Sequence, residues 1–154
     1  MAVLKVLVID DEPGIRSGVS RILNNFQVNY PFMDEDYTYE VLEAATGEDG
    51  ITIINNEKPD IVLLDNKLPG IQGIDVLEYI RNKKYDIVVA MITSYASLDV
   101  ALKAHKFGAT DFVPKPFTPQ ELKSSIENII LFIPDIFEEI GEHTSELQSR
   151  QYLV

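Results

Sequence analysis

The sequence has no cysteine, so disulfides and thiolate-held metals are excluded. It has no apolar run near the ~20 residues needed to cross a bilayer. Its first residues, MAVLKVLVIDDE, pass quickly from a short apolar run into acids. A signal peptide needs a longer apolar stretch and a small-residue cleavage site. Basic residues are scarce, 13 against 25 acids, for a net charge of −12. Such a surface repels phosphate backbones, so direct DNA or RNA binding is not expected. It would instead steer metal cations or basic partners inward. These features together predict a cytoplasmic protein without a membrane segment. There are no internal repeats, and no helix-turn-helix, Walker loop or kinase motif to reveal an output.

What the chain does have is core-forming material. Of its 154 residues, 45% are apolar and 25% charged, enough for one domain with a buried core and a short tail. Five short apolar runs stand out: Val3–Ile9, Tyr39–Ala44, Ile61–Leu64, Ile87–Ile92 and Asp111–Val113. The first, third and fourth are nearly continuous in Val, Ile and Leu, as strands covered on both faces are. Helical spacing lies between them. Ile15, Val19, Ile22, Leu23 and Phe26 form one stripe, and Leu122, Ile126, Ile129, Ile130 and Ile133 form another. Ile51 and Ile54, then Val76, Leu77 and Ile80, then Leu98, Ala101 and Leu102 mark three more. Thr46 and Ser97 are candidate N-caps. Thr118-Pro119-Gln120-Glu121 reads as a capping box with proline at the first helical position, and Gly108 as a left-handed terminator. The pattern is (βα)₅, an α/β fold with a parallel sheet between two helical layers. The stretch Asn24–Thr38 is long for a helix-to-strand connection. It reads as an extended helix end plus a surface loop, or as a docking loop for a partner.

Polar residues gather after the strands. Asp10-Asp11 ends the first, Asp65 the third and Thr93 the fourth, and Lys115 follows the fifth. In open α/β sheets, ligands bind beyond the carboxyl ends of the strands, where the strand order reverses. With the order 2-1-3-4-5, strands one and three are neighbours at that point. Asp10, Asp11 and Asp65 then converge, with Thr93 and Lys115 on the far side. Three carboxylates in one crevice repel one another, by about 4 kcal/mol per pair at 4 Å and an effective dielectric near 20. An oxygen-seeking cation such as Mg²⁺ relieves this, and lysine adds a fixed positive charge. A carboxylate so placed can attack phosphorus. His105 has no partner histidine nearby and reads as a surface residue, and His143 falls in the tail.

The stretches VLVIDDEP, DIVLLDNKLPGIQG, MITSYAS and GATDFVPKPF occur in that order. Over roughly Val3 to Phe132 the chain resembles a bacterial two-component response-regulator receiver domain, with some likeness to the N-terminal receivers of hybrid sensor kinases. The resemblance implies a flavodoxin-like, doubly wound (βα)₅ sandwich. It implies that Asp65 accepts the phosphoryl group, from a histidine kinase, a phosphotransfer protein or a small donor. Asp11 and Asp65 would bind Mg²⁺ directly, Asp10 through a water, and the Lys67 carbonyl would complete the set. Thr93 and Lys115 would bond the phosphoryl oxygens, Phe112 would turn inward as Thr93 moves, and Lys115-Pro116 would be cis. The face from Leu98 to Phe132 is the expected homodimer or docking face. Lys67 and Tyr95 fall beside the phosphoryl group, where they orient an attacking water poorly, so slow self-hydrolysis is expected. No other cofactor is implied.

Two alternatives remain at this point. A Mg²⁺-dependent aspartyl-phosphate phosphatase would need a second acid two residues after the nucleophile, where Lys67 stands. A phosphorylation-independent interaction module is disfavoured by the intact five-residue set. The receiver is expected to span 1–133, with 134–154 a linker and tail. Glu139–Val154, EIGEHTSELQSRQYLV, lacks apolar periodicity beyond one turn and resembles a translated sequencing-library adapter. It is expected to have no structural role, and the natural chain is expected to continue past Glu138.

Overall fold

The computed structural model describes residues 2–27, 36–94 and 98–142. Ser97, Tyr95, His143, most of the Asn24–Thr38 stretch and the end of the tail lie outside them. Five strands alternate with five helices: β1 (Ala2–Ile9), α1 (Pro13–Asn24), β2 (Tyr37–Ala44), α2 (Gly47–Glu57), β3 (Ile61–Leu64), α3 (Gly73–Asn82), β4 (Val88–Thr93), α4 (Leu98–Lys106), β5 (Asp111–Pro114) and α5 (Pro119–Ile129). All strand pairs are parallel, in the order β2-β1-β3-β4-β5. The layered α/β sandwich is the one the alternation predicts, and the doubly wound order is the one the resemblance implies.

The strands divide their side chains between two cores with a period of two. In β1, Val6 and Val8 face a cluster with Val19 and Leu23 of α1 and Leu122, Ile126 and Ile129 of α5. Leu7 and Ile9 face the other cluster, with Ile54 of α2, Val76, Leu77 and Ile80 of α3, and Ala104 of α4. Both faces of β1, β3 and β4 are thus covered, which is why these strands read as unbroken apolar runs. On α4 the expected stripe is shifted. Ala104 is buried, whereas Leu102 is 59% exposed.

The helix starts follow from local chemistry. Asp49 N–H donates to Thr46 Oγ1 at 3.1 Å, and Glu121 N–H donates to Thr118 Oγ1 at 3.1 Å, with the Glu121 carboxylate returning to the Thr118 amide. Each such cap contributes about 1 kcal/mol. Gly108 closes α4 at φ +81°. Lys115-Pro116 is cis.

The core extends past Ile133. After a 3₁₀ turn at Ile130–Phe132 the backbone is helical over 134–142. Ile133 and Ile136 are buried in the first cluster, and Ile140 packs against it. Ile140 belongs to the stretch expected to have no structural role, so that expectation fails at this residue. The i, i+3, i+7 stripe straddles the expected boundary, and neither side alone displays it.

Candidate functional site

Register brings the site together. Ile9 of β1 pairs with Leu64 of β3, so the next residues, Asp10 and Asp65, emerge side by side at the carboxyl edge. Thr93 of β4 pairs with Pro114 of β5, which sets Lys115 at the same edge. Backbone bonds hold both acids there. Asp10 N–H donates to the Ala44 carbonyl and Asp65 N–H to the Ile9 carbonyl. Asp10 is fully buried, and Asp65 and Thr93 are each 4% exposed.

Lys115 ties the edge together. Its Nζ lies 2.5 Å from Asp10 Oδ2, 3.1 Å from Asp65 Oδ2 and 3.5 Å from Glu12 Oε1. One ammonium therefore serves three carboxylates. Burial is the largest single influence on Lys115 and acts to lower its pKa. The bonds and attraction from Asp10 and Asp65 together outweigh it, and the ammonium is held above its ordinary value. Asp65 goes the other way. Burial pushes its carboxyl up, Lys115 pulls it down, Asp10 pushes it up again, and the net direction is upward. Lys115 thus leaves part of the buried negative charge uncompensated.

Oxygens of Asp10, Asp11 and Glu12 lie within 4.8 Å of one another. Glu12 was absent from the set read from the sequence, and its exposed carboxylate joins Asp10 and Asp11 here. Asp65 sits against Lys115 instead. The Lys67 amide bonds the Asp65 carboxylate, while its side chain is exposed. The donors are all hard oxygens around a buried, undercompensated carboxylate pair, a set that fits Mg²⁺. Phe112, on edge strand β5, is half-buried and packs against the second cluster.

Two loops that frame the site are braced. Arg16 Nη1 donates to the Asp10 carbonyl at 2.6 Å, and Glu12 N–H donates to Asp10 Oδ1 at 2.9 Å. In the loop after β3, Ile71 N–H donates to Glu48 Oε1 at 3.0 Å, and Gln72 Nε2 donates to the Leu68 carbonyl at 3.0 Å. Gly70 there has φ +79°. Gly73 N–H donates to the Asn66 carbonyl at 2.9 Å. A Cβ on Gly73 would lie 2.2 Å from the Asp65 carbonyl oxygen, so only glycine fits against the backbone that carries Asp65. None of these braces has a local sequence signature, except that Gln72 and Asp75 form a reciprocal cap on α3.

The arrangement is shared with known proteins. The family model for the response regulator receiver domain matches residues 6–127. The chain belongs to this family. It is 30% identical over 126 residues to sporulation initiation phosphotransferase F of Bacillus subtilis, covering 82% of this chain and 93% of that one. It is 31% identical over 127 residues to the phosphate regulon transcriptional regulatory protein PhoB of Pseudomonas aeruginosa, covering 81% of this chain and 51% of PhoB. The receiver thus spans about half the length of that regulator. Among solved structures, a CheY-like response regulator receiver domain protein from Methanospirillum hungatei superposes with a TM-score of 0.72 at 28% identity, covering 92% of this chain and 99% of that one. The chemotaxis protein CheY4 of Vibrio cholerae also superposes with a TM-score of 0.72, at 26% identity, covering 83% and 99%. The chain is a receiver domain, the phosphoryl-accepting switch of two-component systems, for which Mg²⁺ and an aspartyl phosphate are standard. Receiver domains are signalling switches rather than classical enzymes, and they interact with histidine kinases or phosphotransfer proteins. Among the described residues, no helix is long and apolar enough to cross a membrane.

Proposed function

We propose that this receiver takes its phosphoryl group on Asp65. The observation that carries the reading is the Lys115 bridge between buried Asp10 and buried Asp65. An Asp65 carboxylate oxygen forms the new bond to phosphorus as the bond to the donor's leaving group breaks. Lys115 holds its charge against the incoming phosphoryl oxygens, and the Thr93 hydroxyl donates to one of them. Asp10, Asp11, the Asp65 carboxylate and the Lys67 carbonyl would hold Mg²⁺, with Glu12 close by. The metal, when bound, supplies charge neutralisation at the phosphoryl oxygens.

Phosphorylation draws Thr93 toward the phosphoryl group, and Phe112 turns into the space released. A charge change at one strand edge thereby biases a two-state element on the α4–β5–α5 face. Exposed Leu102 belongs to that face, which is the proposed dimer or docking surface. The phosphoryl donor is a histidine kinase or a phosphotransfer protein. Self-dephosphorylation is slow, because the exposed Lys67 side chain binds phosphoryl oxygens rather than orienting a water. The receiver unit is read as 1–133, with the helix over 134–142 packed on it, and the chain acts in the cytoplasm without direct nucleic-acid contact.

The test is transfer from acetyl phosphate, followed as a base-labile, hydroxylamine-sensitive phosphoryl label. Wild type should label with Mg²⁺ and lose the label when the metal is chelated. Lys115→Ala should label far more slowly. Equal labelling of wild type and Lys115→Ala would argue that the bridge has no part in the chemistry.

A further inference from the structure

We propose that Arg16 is a positioning residue for the metal site, acting through the backbone of Asp10 rather than through its charge. The inference rests on the Mg²⁺ reading given above. Arg16 lies in the first turns of α1, and its side chain is 18% exposed. Nη1 donates to the Asp10 carbonyl at 2.6 Å, while Nε lies 3.4 Å from Glu43 Oε1 near the end of β2. The guanidinium therefore spans from one strand's carboxylate to the carbonyl that leads into Asp11.

That carbonyl belongs to the peptide plane joining Asp10 to Asp11. Fixing its oxygen restricts the rotation that aims the Asp11 side chain. Asp11 is exposed, so little packing could orient it instead. Asp10 is held independently, by Lys115, by the Glu12 amide and by its own amide bonded to Ala44. Arg16 thus braces the freer of the two adjacent acids. Groups that orient metal ligands from outside the coordination shell typically alter affinity ten- to a hundredfold.

Charge and positioning predict opposite signs. A guanidinium near the site repels a divalent cation, so removing it as a charge should tighten Mg²⁺ binding. Removing it as a brace should loosen binding. Lysine keeps the charge but offers a compact ammonium that cannot reproduce the planar fork.

The experiment is calorimetric titration of the folded chain with MgCl₂, for wild type, Arg16→Lys, Arg16→Gln and Glu43→Gln. Positioning predicts a Kd about tenfold higher in Arg16→Gln. Arg16→Lys should fall between it and wild type, and Glu43→Gln should show a smaller rise. Saturating Mg²⁺ should restore the phosphorylation rate of Arg16→Gln. A Kd in Arg16→Gln equal to or below that of wild type overturns the inference. If Arg16→Gln does not fold, an unchanged Kd in Glu43→Gln overturns it instead. Failure of wild type to bind Mg²⁺ would refute the metal reading, a separate result visible in the first titration.

Discussion

The Lys115 ammonium lies 3.1 Å from the Asp65 carboxylate, although 50 positions separate them in the chain. The contact arises because β1, β3, β4 and β5 end at one edge. It joins two groups that burial would otherwise make hard to keep charged. Asp10 shares the same ammonium, so the three residues form one electrostatic unit.

Breaking that unit at the lysine should be costly. Lys115→Ala leaves two buried carboxylates facing each other without a counter-charge. Loss of one partner from a buried ion pair typically costs about 3–5 kcal/mol. Urea denaturation in the presence of a chelator should show a loss on that scale, and added Mg²⁺ should recover part of it. An equal midpoint for wild type and variant would mean that Lys115 does not compensate these acids.

Breaking it at Asp65 should have the opposite sign. The Asp65 carboxyl is raised above its ordinary value, chiefly by burial, so its ionised form opposes folding. The penalty is absent below the unfolded-state pKa of about 4 and develops as pH rises through the folded value. Asp65→Asn should therefore be more stable than the metal-free wild type at neutral pH, with Tm higher by a few degrees. The gap should close in acid. A lower Tm for Asp65→Asn at neutral pH would contradict the sign.

Much of this was legible in the sequence. The strands, the helical stripes other than that of α4, and the Thr46 and Thr118 caps rest on local periodicity and spacing, and the structure places them within a residue or two. Asp10, Asp65, Thr93 and Lys115 could be placed because each follows a recognisable strand. Lys58 and Lys84 were not legible. They adopt φ of 46° and 57°, a conformation that glycine or asparagine would have announced. Nor were Arg16 and Glu48: Arg16 reaches back to the Asp10 carbonyl and across to Glu43 of β2, and Glu48 reaches Ile71 in the loop after β3, pairings that no local spacing announces. Ile136 and Ile140 were missed because their stripe begins in the preceding segment.

Glu48 offers a pH-dependent test of the loop after β3. Its carboxyl is held below the ordinary range, first by the Ile71 amide and then by its own. A depressed carboxyl contributes above its unfolded pKa and is lost as pH falls through the folded value. The Ile71 amide should therefore be protected from hydrogen exchange near neutral pH in wild type and unprotected in Glu48→Ala. Matching exchange rates in the two proteins would dismiss the brace.

Gly73 tests how tightly α3 seats under Asp65. In Gly73→Ala the new methyl meets the Asp65 carbonyl, and the backbone must move. Such overpacking typically costs about 1–3 kcal/mol. The urea midpoint should drop accordingly, and phosphorylation should slow because the Asp65 backbone shifts. A variant with wild-type stability and labelling rate would show that the contact relaxes freely.

Intact-mass spectrometry decides whether Asp65 receives the phosphoryl group. Wild type and Asp65→Asn are incubated with acetyl phosphate and MgCl₂ and then weighed. Wild type should gain a single phosphoryl adduct and Asp65→Asn none. An undiminished adduct on Asp65→Asn, or no adduct on wild type, would contradict this assignment.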